Sequence, residues 1–179
     1  MIFNTDADPD NSKLRDYFTW RATCVTKHQE IDLINKLANE IVMKGKFLAL
    51  CTLSNPPEKT EDGKTVFPQG TKINYFSLTS KEGKKLLPVF TDRESLSKWK
   101  NAMEKDKVVM GLTFDDFVPI LRSCPALDGV VINPMSDNFP MPKKLIADWM
   151  ARKISLVKKY MQMKAAKDAG SNPEKGTDN

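Results

Sequence analysis

Two short apolar runs constrain this chain more than any other feature. Phe47–Leu53 lies between Gly45 and the Pro56–Pro57 pair, and Gly129–Ile132 is closed by Asn133 and Pro134. Both are too short for helices and carry no helical spacing, so each predicts a buried strand. Buried strands need helices laid over them, and the chain supplies the patterns. Ser12 is placed to cap a short helix with Leu14, Tyr17 and Phe18 on one side. Thr26 and Gln29 have capping-box spacing, followed by Ile31, Ile34, Leu37, Ala38, Ile41 and Val42 at intervals of three and four, with Gly45 as the stop.

Further along, Lys72–Thr79 and Leu86–Phe90 predict a hairpin turning at Gly83, with Pro88 assigning the second strand to an edge or a bulge. Thr91 and Glu94 have capping-box spacing, and Leu96, Trp99 and Met103 set the buried face of the next helix, with Trp99 in the core. Val108–Thr113 reads as a strand. Asp115 and Asp116 suit the positive end of a helix whose first turn holds Pro119 and whose inner face holds Phe117, Ile120 and Leu121. From Pro142 the pattern is helical to about Lys167, and Asp168–Asn179 has the composition of a disordered tail. Ser54–Thr71 is a long polar connection whose Pro, Glu, Lys and Gly content predicts mobility.

The expected fold is a single α+β domain: a mixed β-sheet of about five strands with helices packed on it, plus a long C-terminal amphipathic helix. Residues 1–28 form a partly helical extension, 29–150 the domain, and 151–179 the remainder of the basic helix and the tail.

Composition narrows the function classes. The chain has 179 residues, 40% of them hydrophobic, which is enough for a core without staples. No apolar run approaches the roughly 18 residues of a membrane span, and the opening stretch is acidic where a signal peptide is cationic. Three cysteines fit reduced thiols and a cytoplasmic setting. The net charge is +5, yet Lys143–Asp168 alone carries +6 and the remainder sums to −1. The basic character belongs to one segment, which gives no reason to expect a nucleic-acid partner.

Candidate chemistry is sparse. Cys24 and His28 are spaced to share a helix face, but they make only two ligands, and neither Cys51 nor Cys124 belongs to a Cys-x-x-Cys pair. Cys51 reads as a small core side chain. Gly63-Lys64-Thr65 imitates a phosphate-binding loop, but Glu58 stands where its first glycine belongs and Phe67-Pro68 where its helix begins. No metal, cofactor or catalytic residue is expected, and the chain is expected not to be an enzyme.

The C-terminal helix is the most informative segment. Ile146, Met150, Ile154, Val157 and Met161 fall in one stripe, flanked by Trp149, Leu156 and Tyr160, while Lys144, Arg152, Lys158 and Lys159 fall opposite. Lys153 and Lys164 project toward the stripe. Burying five such side chains is worth roughly 7 to 10 kcal/mol, against roughly 4 kcal/mol for four cations on an anionic surface. Docking on protein, with Trp149, Met150, Ile154, Val157 and Met161 as partner-binding residues, therefore ranks above lying on a membrane. A chain stopped after Pro142 is expected to keep its domain and lose its partner or self-association.

Finally, Lys84-Lys85-Leu86-Leu87-Pro88-Val89-Phe90-Thr91-Asp92, with Leu96 and Trp99, resembles the "LPVFT" signature of the SseB N-terminal domain family. Gly129-Val130-Val131-Ile132-Asn133-Pro134, preceded by Thr113–Phe117 and followed by Asn138, is similar to that family's second signature. The resemblance runs from about Gln29 to Met150, including the "FLAL" strand. It implies a bacterial cytoplasmic α+β protein with no established activity, cofactor or catalytic residue. The chain departs from longer members in carrying the basic helix and tail where they have a second domain. The signatures have a structural explanation, an edge strand entering a capped helix and a core strand closed by an Asx-turn. Their functional alternative is a strand-end crevice formed by Thr91, Asp92 and Asn133. Expectation therefore runs to a non-catalytic protein-interaction or regulatory module, then to a peripheral membrane adaptor anchored by the basic helix. An enzyme or small-ligand binder using the crevice comes third.

Overall fold

The computed structural model describes residues 8–59, 65–99 and 107–169. Its elements run α1 (Ser12–Arg21), α2 (Lys27–Met43), β1 (Lys46–Leu53), β2 (Glu58–Lys59), β3 (Thr65–Val66), β4 (Ile73–Tyr75), β5 (Leu78–Thr79), β6 (Lys85–Val89), α3 (Arg93–Ser97), β7 (Val108–Thr113), α4 (Phe114–Ser123), β8 (Gly129–Ile132), β9 (Phe139–Pro142) and α5 (Lys143–Ala169). This is a single α+β domain.

Its two main sheets share a seam. β1 lies between β4 and β7, antiparallel to both. In the second sheet, ordered β5-β6-β8-β9, only the β6–β8 pair is parallel. Leu48 and Phe90 join the sheets by exchanging two backbone hydrogen bonds of 2.8 Å. The expected strand Lys72–Thr79 is bent at this seam: its first half pairs with β1, and its second half crosses to β6.

Pro88 needs a correction for the same reason. It sits inside the second sheet, paired in register with Val131. A parallel ladder uses alternate residues, and here Leu87 and Val89 face β8. Leu86 pairs with Leu78 on the other side, and Phe90 with Leu48. Pro88 falls between those two partners, where the neighbouring strand changes and no amide is required.

One face of the sheets carries the main core. Phe47, Ala49 and Cys51, Leu87 and Val89, Met110 and Leu112, and Val130 and Ile132 meet α1, α2, α4 and the start of α5. The other face holds Leu48, Leu50, Phe90 and Leu96, with Trp99 edge-on to Phe90 at 6.1 Å between ring centroids. Trp99 is half-buried rather than fully enclosed, and Met103 lies outside the described residues.

Several helix expectations shift. Leu14 and Phe18 on α1 are buried and Tyr17 is half-buried, but the helix begins at Ser12, and the preceding Asn11 occupies the cap position. The Thr26–Gln29 capping box is present on α2. Its buried face is Leu33, Leu37, Ala38, Ile41 and Val42; Ile31 and Ile34 are exposed, because α1 packs against the side that carries Leu33. α3 is capped by Asp92, not by Thr91. Thr113 caps α4 and the Asp116 carboxylate accepts from its amide, so Pro119 stands in the second turn rather than the first. Phe117, Ile120 and Leu121 face inward as expected.

The 54–71 connection, expected as a long polar link, contains the β2–β3 ribbon; Gly63 and Lys64 lie outside the described residues, and Thr65 opens a strand. β9 has no counterpart among the elements that the sequence predicts, and it carries two prolines. It forms the outer strand of its sheet, where missing amides cost no ladder bond. A Cβ at Gly129 would collide with the Met141 carbonyl of that strand, so the close β8–β9 approach requires glycine there. Residues 170–179 of the expected tail lie outside the described residues.

Candidate functional site

The three residues expected to line a strand-end crevice are buried. Thr91 is 0% exposed, Asp92 6% and Asn133 2%, and their polar groups are spent on one another. Thr91 lies two residues beyond the end of β6 and Asn133 directly follows the parallel β8, which brings together side chains 42 positions apart. The Thr91 amide donates to Asn133 Oδ1 at 3.0 Å, and Asn133 Nδ2 donates to the Thr91 hydroxyl at 2.8 Å. That hydroxyl donates in turn to the Asp92 carboxylate at 2.8 Å, whose other oxygen accepts the Ser95 amide at 2.7 Å and caps α3. Asn133 Nδ2 also donates to Asp137 at 2.6 Å.

Asn133 has φ of 47°, a left-handed conformation that asparagine tolerates better than most residues. Its carbonyl accepts the amides of Ser136 and Asn138, so the Asn-Pro turn is closed by its backbone while its side chain reaches across to Thr91, not back into an Asx-turn. Burial pushes the Asp92 carboxyl upward in pKa, but hydrogen bonds from the Ser95 amide and the Thr91 hydroxyl outweigh it, and the net shift is downward. Asn11 completes the clasp by donating to the carbonyls of Lys46 and Thr91. Nothing local in the sequence marks Asn11, Ser95 or Asp137 as members, since their partnerships depend on the tertiary fold.

No buried side-chain nitrogen or oxygen among the described residues lacks a hydrogen-bond partner. The clasp is therefore a saturated lock on the strand ends, not an open crevice. Open clefts lie elsewhere. One of about 490 Å³ is lined by Arg21, Cys24, Thr26, Lys27 and Ile34, and another of about 540 Å³ by Met43, Lys46, Phe114, Asp115 and Lys153.

The thiols and the imidazole do not converge. Cys24 precedes the α2 cap, so it and His28 do not share a helix face. Cys51 is buried in β1, where burial pushes its thiol up to about 11. Among the described residues no group of three His, Cys, Asp or Glu side chains is placed to hold a metal. Asp116 belongs to the α4 cap, accepting from the Thr113 amide and hydroxyl at 2.8 and 2.7 Å, and Asp115 pairs with Lys153.

α5 divides the expected partner-binding residues. Ile146 and Trp149 are 1% and 8% exposed and belong to the core, with Met150 half-buried beside them. The Lys153 ammonium meets the Asp115 carboxylate of α4 at 2.6 Å, and Arg152 reaches Asn35 of α2. Beyond Lys153 the domain ends and the helix continues. Ile154, Val157 and Met161 are 49%, 37% and 66% exposed, and Leu156, Tyr160 and Met163 also stand in solvent. A chain stopped after Pro142, expected to keep its domain folded, would lack two core side chains of that domain. Among the described residues no helix is long and apolar enough to cross a membrane.

Fold and site thus define a compact α+β scaffold with a locked strand-end clasp and a basic helix that is only half docked. The chain belongs to the SseB protein N-terminal domain family, whose family model matches residues 34–148, from α2 to the docked part of α5. The search of curated proteins returns no match, nor does that of solved structures.

Proposed function

We propose that the protein is a non-catalytic interaction or regulatory module of the bacterial cytoplasm, and that the outer part of α5 is its interaction element. The observation that carries this reading is the row of large apolar side chains from Ile154 to Met163 that the domain leaves uncovered. Isolated exposed apolar residues are ordinary, but a contiguous set on one helix signals a surface meant to be covered. The saturated clasp supports the non-catalytic part, since its buried donors and acceptors already face one another. Three unpaired thiols support a reducing compartment. Six cations between Trp149 and Asp168, with no carboxylate among them, favour an anionic membrane surface as the second reading.

The test is a chain stopped after Lys153, which retains Ile146, Trp149 and the Lys153–Asp115 pair. It should give the far-ultraviolet circular dichroism and cooperative melt of a folded domain, and should lose the proteins that the tagged full chain captures from its own cells. An identical capture profile for both chains would refute the assignment of α5.

A further inference from the structure

The docked half of α5 shows how this helix is recognised, and the outer half repeats the same pattern without a partner. In the docked half, Ile146 and Trp149 enter apolar surface while Lys153, on the same side of the helix, meets the Asp115 carboxylate. The outer half presents Ile154, Val157 and Met161 at intervals of three and four, with Lys158, Lys159 and Lys164 around them. At about 100° per residue, Lys164 falls on the side that carries Val157 and Tyr160, where Lys153 falls one stretch earlier. Resting on the reading of α5 as an interaction element, we propose that its occupant is a groove on another protein with an apolar floor and carboxylates on its rim.

The alternatives fit the same residues less well. A second copy would lay this helix against itself along Ile154, Val157 and Met161. The flanking charges between Trp149 and Lys167 are all cations, so either orientation sets lysine against lysine. The next seam position after Met161 is Lys164, which ends the apolar repeat after about two heptads where a stable coiled coil needs three or more. On a bilayer, Lys164 would point into the apolar side of the interface between Val157 and Tyr160. A rim carboxylate gives that ammonium what Asp115 gives Lys153.

The experiment uses the full chain and a probe of the stated chemistry: calcium-loaded calmodulin, whose open groove takes basic amphipathic helices and closes without calcium. Titration calorimetry should detect a calcium-dependent complex with the wild-type chain. The complex should be lost in Ile154→Asp/Val157→Asp and weakened roughly tenfold or more in Lys158→Glu/Lys159→Glu/Lys164→Glu, since several exposed attractions become repulsions. All these positions are exposed, so melting temperatures should stay within a few degrees of wild type and exclude misfolding as the cause. Absence of the complex, or unchanged binding by the triple charge reversal, overturns the acidic groove. Sedimentation velocity showing a dimer that Ile154→Asp/Val157→Asp dissolves overturns it too, while preserving α5 as an interaction element. Flotation with phosphatidylserine vesicles but not with phosphatidylcholine vesicles overturns both.

Discussion

The strand-end clasp and the outer half of α5 make opposite use of their side chains. Thr91, Asp92 and Asn133 are the kind of polar cluster that invites a ligand, yet each group has a partner within 3.0 Å. The outer helix has no such chemistry, and its apolar residues face water. Polar residues brought together by strand ends signal a site only when some donor or acceptor is left over; a saturated network rigidifies instead. Surplus apolar surface, by contrast, has a free-energy cost that only a partner removes.

The two regimes meet at the junction in α5, between Trp149 and Ile154. Stopping the chain after Pro142 should abolish cooperative melting, because Ile146 and Trp149 leave a core that has no substitute for them. Stopping it after Lys153 should leave the melt intact. If both truncated chains melt alike, the boundary between docked and free helix is misplaced.

Single substitutions sharpen the same boundary. Trp149→Ala should destabilise by about 3 to 5 kcal/mol, and Ile154→Ala, five residues further on, by less than about 0.5 kcal/mol, read from urea midpoints. On the second sheet face, half-buried Trp99→Ala should fall between them. A large effect at Ile154 would mean that the outer helix is covered within the molecule.

Next in size is the clasp. Asn133→Gly keeps the left-handed backbone easy while removing both bonds to Thr91 and the one to Asp137. It should cost about 1 to 3 kcal/mol, the price of buried groups left unpaired, with no change in binding by α5. If binding were lost without loss of stability, the clasp would be a ligand site after all.

Much of this architecture is legible in the sequence, and the exceptions have a common cause. Phe47–Leu53, Gly129–Ile132 and the Thr26–Gln29 box are local signals, and they appear in the structure as read. What misleads is context that sequence spacing does not carry. Ile31 and Leu33 are equally apolar, and α1 decides between them. Pro140 and Pro142 argue against a strand until β9 proves to be an outer one. Thr91 has cap spacing, but the backbone turns one residue later and hands the role to Asp92, freeing Thr91 to bond Asn133. The stripe on α5 is visible at once, but where the domain stops covering it depends on the placement of α2 and α4.

The smallest expected effect separates charge from geometry within the clasp. The carboxyl of Asp92 lies below its ordinary pKa in the folded protein: burial opposes the charged form, but the donated hydrogen bonds more than compensate. Asp116, held by the Thr113 amide and hydroxyl at the α4 cap, is lowered in the same way against its burial. A group whose folded pKa lies below its unfolded value of about 3.9 stabilises the native state above that value. The contribution disappears as pH falls through the lower, folded pKa, because both states then carry the proton. Stability should therefore be flat near neutrality and decline below about pH 4 to 5, and Asp92→Asn should make that decline shallower. Asparagine still accepts the Ser95 amide as a cap, so the loss at pH 7 should be about 1 kcal/mol rather than the larger cost of Asp92→Ala. Urea midpoints at pH 7 and pH 3.5 measure both quantities. An Asp92→Asn chain with an acid decline as steep as wild type would show that the clasp holds by shape alone and that its carboxylate charge contributes nothing.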